Sequence, residues 1–231
     1  MHTLIGVQSE IFQNARASVR IPNFEVQSEF RRWIREDFNR RITPELSNSS
    51  ITLFNLMANG SFAEFSESFR ELFLTQVPQR ILGSVETVYQ DYFYAYLSSA
   101  AHAIEVKPKW TTKMEQPAGI GRLDIMFYRD VGIIAKLRQE PQEEKKGYRE
   151  VECKRLTKGT KRALEQCDTR HYRSIMPEHV TTIYEYGLAF LGPYCGVEAR
   201  TVKKMNGVWV TVDVYTADED EKQREHIYCR Q

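Results

Sequence analysis

Cysteine is sparse and unclustered in this chain. Cys153, Cys167, Cys195 and Cys229 are its four cysteines, none in C-x-x-C spacing, and its five histidines form no H-x₃₋₅-H pair. A zinc site is therefore not expected, and the thiols read as reduced. No stretch approaches the roughly 18 apolar residues of a membrane-spanning helix. Residues 1–20 lack the basic start, apolar run and cleavage site of a secretory leader. The expected setting is intracellular, cytoplasmic or nuclear, with no membrane contact. An excess of one charge is also missing: 32 Lys and Arg face 31 Asp and Glu, a net charge of +1. That excludes a globally basic coat, so any nucleic-acid contact must come from a local patch. There is no GxxxxGK[ST] phosphate loop, since Gly159-Thr160-Lys161 does not form one, and ATP hydrolysis by this chain is not expected.

What is present concentrates between Gly121 and Tyr172. In Gly121 to Tyr128, Leu123, Ile125 and Phe127 alternate with Asp124, Met126 and Tyr128, the period of a half-buried strand. Asp124 then points away from the most apolar face. In Tyr148 to Arg155 the same period sets Val151 and Cys153 against Glu150, Glu152 and Lys154, so a second strand is expected with Glu152 and Lys154 on one face. If these strands pair, Asp124 and Glu152 bring two hard carboxylates to one cation, as Mg²⁺ or Mn²⁺ requires. Lys154 beside them can acidify an attacking water and offset charge on a phosphate during in-line displacement. Gly159 and Thr160 then read as a helix start, with Leu164, Cys167, His171 and Ile175 as its apolar stripe and a stop before Pro177. Gln166 and the bases Lys161, Arg162, Arg170 and Arg173 lie off that stripe, where they face either a phosphate backbone or only solvent.

Elsewhere the pattern predicts helices first. Asn23 caps a helix running to about Arg41. Thr43-Pro44 opens a second that Gly60 stops, and Ser61-Phe62-Ala63-Glu64 has capping-box spacing before a stripe of Phe62, Phe65, Phe69, Leu72 and Phe73. Gln76 to Ser84 reads as a boundary, dividing an N-terminal helical module (1–80) from a second domain (81–231). A longer helix begins at Glu86. Ala103 to Trp110 is expected as a strand, Gln139 to Gly147 as an exposed loop, and Thr182 to Leu191 as a strand. Tyr194 to Val202 and Val208 to Tyr215 should form a hairpin about Asn206-Gly207. The order of helix, three strands, helix, strand and hairpin predicts an α/β class: a central mixed sheet flanked by helices.

The ordered set Gly121-Arg122-x-Asp124, Glu152-x-Lys154 and Ala163-Leu164-Glu165-Gln166, with Tyr172 beyond, resembles the PD-(D/E)XK nuclease superfamily. It is most similar to the nuclease domain that in many proteins follows an AAA-ATPase-like domain. Ile21-Pro22-Asn23-Phe24-Glu25-Val26 is similar to the segment joining those domains, and the matches run from about residue 20 to about residue 192. The resemblance implies a restriction-endonuclease-like core and a Mg²⁺- or Mn²⁺-dependent nuclease acting on DNA, with RNA as the other substrate. Asp124, Glu152, the Cys153 carbonyl and Glu86 would serve the metal. Glu86 equally suits the first turn of a helix, where the dipole favours an acid. Lys154 would position the water and Gln166 would orient substrate or water. Arg122, Lys161, Arg162, Arg170, Tyr172 and Arg173 would contact nucleic acid. An ATPase-like partner, or an ATPase domain missing here, is implied too. The competing expectation is a catalytically silent nuclease-fold module that binds nucleic acid or docks a protein.

Overall fold

The computed structural model describes residues 44–75, 77, 86–104, 107–118, 121–140, 149–192 and 194–216, with the side chains of 44–47, 74, 115–118 and 149–153 left aside. The expected Asn23 helix, the Ile21–Val26 segment and most of the Gln76–Ser84 and Gln139–Gly147 stretches lie outside the described residues. Four α-helices and six strands follow in order among those described: α1 (Pro44–Asn59), α2 (Phe62–Thr75), α3 (Glu86–Ala103), β1 (Thr111–Ala118), β2 (Gly121–Tyr128), β3 (Gly132–Gln139), α4 (Arg149–Thr169), a 3₁₀ turn (Tyr172–Ile175), β4 (Thr182–Leu191), β5 (Tyr194–Met205) and β6 (Val208–Tyr215). The strands form one sheet in the order β1-β2-β3-β4-β5-β6. Only β3 and β4 are parallel, and α4 makes the crossover that such a pair needs. The class is α/β, with a mixed sheet carrying helices.

Local chemistry explains the helices at the start. Pro44 sits at the first position of α1, where its missing N–H costs nothing. Gly60 ends that helix with φ 69°, in the left-handed region a side chain resists. The stripe of α2 is buried: Phe62, Phe65, Phe69, Leu72 and Phe73 all join the main cluster. There the rings of Phe65 and Tyr186 lie 4.7 Å apart, and Tyr89 and Phe190 stack at 4.5 Å. The Tyr186 hydroxyl donates to the Met57 carbonyl at 2.8 Å, tying the sheet to α1. One hydrophobic cluster thus runs across the expected boundary at residue 80, from Leu53 in α1 to Ala199 in β5.

The hairpin is as expected. Asn206 and Gly207 both have positive φ, 50° and 81°, the backbone of a type I′ turn. Its outer strand β6 is a sheet edge, with Val208, Val210, Val212 and Val214 between 41% and 63% exposed.

Two strand assignments are corrected. Ala103 ends α3, and Lys107 to Trp110 has no regular structure; the first strand is β1, from Thr111. Arg149 to Arg155 is the first part of α4, not a strand, and the strand beside β2 is β3. Gly159 and Thr160 consequently lie inside α4 and do not start it. Glycine is required there because a Cβ on Gly159 would sit 2.9 Å from Ala189 Cβ and from Glu140 Oε1. Gly187 of β4 passes directly under the Thr160 carbonyl. These glycines let the helix lie close on the sheet. The helix also ends early: Thr169 is its last residue, His171 takes φ 55°, and His171 is exposed while Tyr172 is buried.

An ion network, buried at Glu185 and open to solvent at Asp168, fastens the end of α4. Glu185 of β4, 0% exposed, accepts from Arg173 Nε and Nη2 at 2.7 and 2.9 Å and from Arg200 Nε at 2.7 Å. Asp168 closes the circuit with Arg173 at 2.7 Å and Arg200 at 2.9 Å. Burial works against the charge on Arg173, yet Glu185 and Asp168 outweigh it and hold its pKa above the ordinary arginine value. Arg173 is therefore a structural cation, a correction to its expected role on phosphate, because the network takes its guanidinium out of solvent. Arg173→Ala should destabilise the fold by about 3 to 5 kcal/mol, since it strands Glu185 as a buried, under-compensated charge. Urea denaturation reads this directly, and an unchanged midpoint would mean that the guanidinium is not part of the network in solution.

Candidate functional site

The site forms where β2 parts from β3. The two strands pair from Tyr128↔Gly132 to Ile125↔Ala135, and the ladder stops there. Beyond it, the N–H groups of Leu137 and Gln139 would face an absent neighbour, and a buried N–H must find an acceptor. Two carboxylates supply it. Asp124 Oδ2 accepts from Leu137 N at 2.7 Å, and Glu86 Oε2, from the first turn of α3, accepts from Gln139 N at 3.3 Å. Alternate N–H groups of a strand lie about 7 Å apart, so both acids are drawn to one short edge. The other Glu86 oxygen accepts from Gln90 Nε2 at 3.0 Å, one helical turn on.

Lys136 of β3 lies against this pair. Its ammonium donates to Asp124 Oδ1 at 2.6 Å, with both side chains largely buried. Asp124 is 3% exposed. Burial raises its pKa from the ordinary aspartate value to about 6; Lys136 and the Leu137 N–H pull it down, and the like charge of Glu86 pushes it up further. Tyr172 completes the inner wall. Burial raises its phenol, and its electrostatic partners include Lys136 and Asp124. Its hydroxyl would stand 3.1 Å from a Cβ on Gly121, as would Arg170 Cδ, which places Tyr172 and Arg170 beside the start of β2, next to exposed Arg122.

Of the sequence-predicted residues, the structure brings together Asp124, Glu86 and Tyr172, with Arg122 and Arg170 flanking them. It separates others. Glu152 and Cys153 lie in the first turns of α4, where their side chains are outside the described set. Lys154 belongs to the same helix, so the two-residue period that would set Glu152 and Lys154 on one face of a strand does not hold there. Lys154 is exposed on α4, as are Lys161 and Arg162, while Gln166 is half-buried there. The expected pairing of an Asp124 strand with a Glu152 strand is thus corrected: the neighbour of β2 carries Ile134-Ala135-Lys136, and Ile134 is buried among apolar residues under α4. Lys136 is the residue of this candidate site that sequence reasoning missed. The signal for it was a lysine inside the apolar run Ile133 to Leu137, a position that demands a buried partner.

Glu140, buried and 2.7 Å from Arg138 Nε, borders the same end of β3. Among the described residues no group of three or more His, Cys, Asp or Glu side chains is arranged to hold a metal, and the acids of this site are two. No described helix is long and apolar enough to cross a membrane. Comparison with protein-family models, with curated proteins and with solved structures gives no match.

The raised Asp124 pKa sets a pH dependence. Unfolded aspartates titrate near about 4, so the folded chain holds this proton more tightly. Stability from the group is complete below about pH 4 and is lost as pH rises through about 6, by about 3 kcal/mol in all. Asp124→Asn combined with Lys136→Met should flatten that part of the stability profile. Urea midpoints of parent and variant at pH 4.5 and 7.5 test it; parallel pH profiles would refute the assignment.

Proposed function

We propose that the chain is a Mg²⁺- or Mn²⁺-dependent phosphodiesterase acting on nucleic acid, DNA in preference to RNA, on a restriction-endonuclease-like core. The observation that carries this reading is the convergence of Asp124, Glu86 and Lys136 on the unpaired edge of β3. The residues suit a hard divalent cation in kind: two carboxylates, one of them raised in pKa by burial and by its neighbour's charge, gain most from an added cation. Asp124 and Glu86 would hold it. When bound, such an ion supplies Lewis acidity toward a phosphoryl oxygen and a water more acidic than bulk.

The chain's own groups do the rest. The Leu137 and Gln139 N–H groups fix the two carboxylates before substrate arrives, so little reorganisation is left for the reaction. Lys136 takes the role expected of Lys154: its ammonium orients Asp124 and stands ready to offset charge growing on the phosphate. Arg122 and Arg170 at the mouth would orient the phosphate backbone. Gln166, half-buried on α4, would contact substrate or water. A second reading, a silent module of the same fold that binds nucleic acid or docks a protein such as an ATPase-like partner, is favoured by one observation: Ile134 stands two residues before Lys136, where an acid-x-lysine triplet would carry its acid.

Single-turnover cleavage of a labelled duplex and a labelled single strand at saturating Mg²⁺ or Mn²⁺ divides the two readings. The parent should cut, and Lys136→Met should cut about a hundredfold more slowly, for an ammonium worth about 3 kcal/mol at the transition state. Asp124→Asn and Glu86→Gln should lose Mn²⁺ affinity by calorimetry. A parent that binds Mn²⁺ and cuts neither substrate is the silent module; a Lys136→Met variant at parental rate removes Lys136 from the chemistry.

A further inference from the structure

The outer face of α4 (Arg149–Thr169) gathers positive charge. From Lys154 to Arg162 the sequence is Lys-Arg-Leu-Thr-Lys-Gly-Thr-Lys-Arg, five bases and no acid in nine residues, in a chain whose net charge is only +1. Lys154, Lys158, Lys161 and Arg162 are exposed, whereas Leu156, Gly159, Thr160, Ala163 and Leu164 are buried against the sheet. The bases therefore recur at i, i+4, i+7 and i+8 along one face. Like charges at those spacings repel. An anion lying along such a face meets all four charges at once.

We infer that this face binds the phosphate backbone of duplex DNA without reading sequence. This binding face rests on the nucleic-acid reading above and adds to it a surface and the form of the substrate. Four cations along about 12 Å of helix match a linear polyanion better than a compact anion. The stretch offers no aromatic ring on which an unpaired base could stack, which is what single-strand binders use. Contacts to phosphate alone position the duplex, while Arg122, Arg170 and the acids at the β2 and β3 ends handle the bond to be cut.

The test separates binding from cutting by working in EDTA. Anisotropy of a labelled duplex with the full chain is recorded between 50 and 200 mM salt, for the parent and for Lys154→Gln/Lys158→Gln/Lys161→Gln/Arg162→Gln. Glutamine keeps helix propensity, and circular dichroism confirms the fold. The parent's affinity should fall roughly a hundredfold across that range, for about four phosphates neutralised at a slope near 0.9 each, and the variant's only a few-fold. A control removes the same charge elsewhere, through Lys109→Gln/Lys113→Gln/Lys203→Gln/Lys204→Gln, and should keep most of the parental slope. Equal slopes in parent and α4 variant, or an equal loss in the control, would overturn the proposal. So would a single strand held more tightly than the duplex through this face, or vesicles of phosphatidylserine bound through it while duplex is not. A chain that binds duplex through α4 in EDTA but cuts nothing in Mg²⁺ would refute the phosphodiesterase reading and leave this one standing.

Discussion

The site depends on two backbone N–H groups that the sheet leaves without a strand partner. Because β2 stops pairing with β3 after Ile125↔Ala135, Leu137 and Gln139 must be satisfied by side chains, and the chain uses carboxylates. Holding two acids at one buried edge is costly, as the pKa of Asp124 shows, and Lys136 offsets part of that cost at 2.6 Å. The same requirement that completes the backbone's hydrogen bonding thus assembles a charged constellation. A purely structural solution needs one neutral acceptor per N–H; two acids and an ammonium are more than that role requires.

The remainder of the fold keeps that edge in place. The aromatic cluster of α1, α2 and α3 covers one face of the sheet and brings Glu86 to the end of β3. On the other face α4 is drawn down onto Gly187 and Gly196, and the Glu185, Arg173, Arg200 and Asp168 network pins its end beside Tyr172. Removing one member of this neutral four-charge network is far more damaging than the absence of the whole would be, because Glu185, Arg173 and Arg200 are largely desolvated where they stand. Tyr172 thereby keeps its ring in the core and its hydroxyl beside Gly121, within the electrostatic reach of Asp124 and Lys136.

Much of this was legible from residues. The order of helix, three strands, helix, strand and hairpin stands, although two of its three early strands were set on the wrong segments. β1 escaped because its Lys113, Gln116 and Pro117 suit a polar edge strand, where proline is tolerated and the usual apolar alternation is weak. β3 escaped because it is covered on both sides; Ile133, Ile134, Ala135 and Leu137 show no alternation to detect. Tyr148 to Arg155 imitated a strand over eight residues, too short a window to tell alternation from a helix whose buried positions, Leu156, Ala163, Leu164 and Cys167, come later. Asp124 and Glu86 were visible as acids at suitable places. Lys136 was not, since its importance comes from the neighbour that only the register supplies.

If Asp124 and Glu86 share one site, each must feel the other's charge. The direct measurement is the carboxyl pKa of Asp124, followed by ¹³C NMR in the parent and in Glu86→Gln. The account predicts a value near 6 in the parent and a lower one in the variant, where the like charge is gone while Lys136 and the Leu137 N–H still hold the carboxylate. An Asp124 that titrates in the ordinary aspartate range, or one that does not respond to the loss of Glu86, would contradict it.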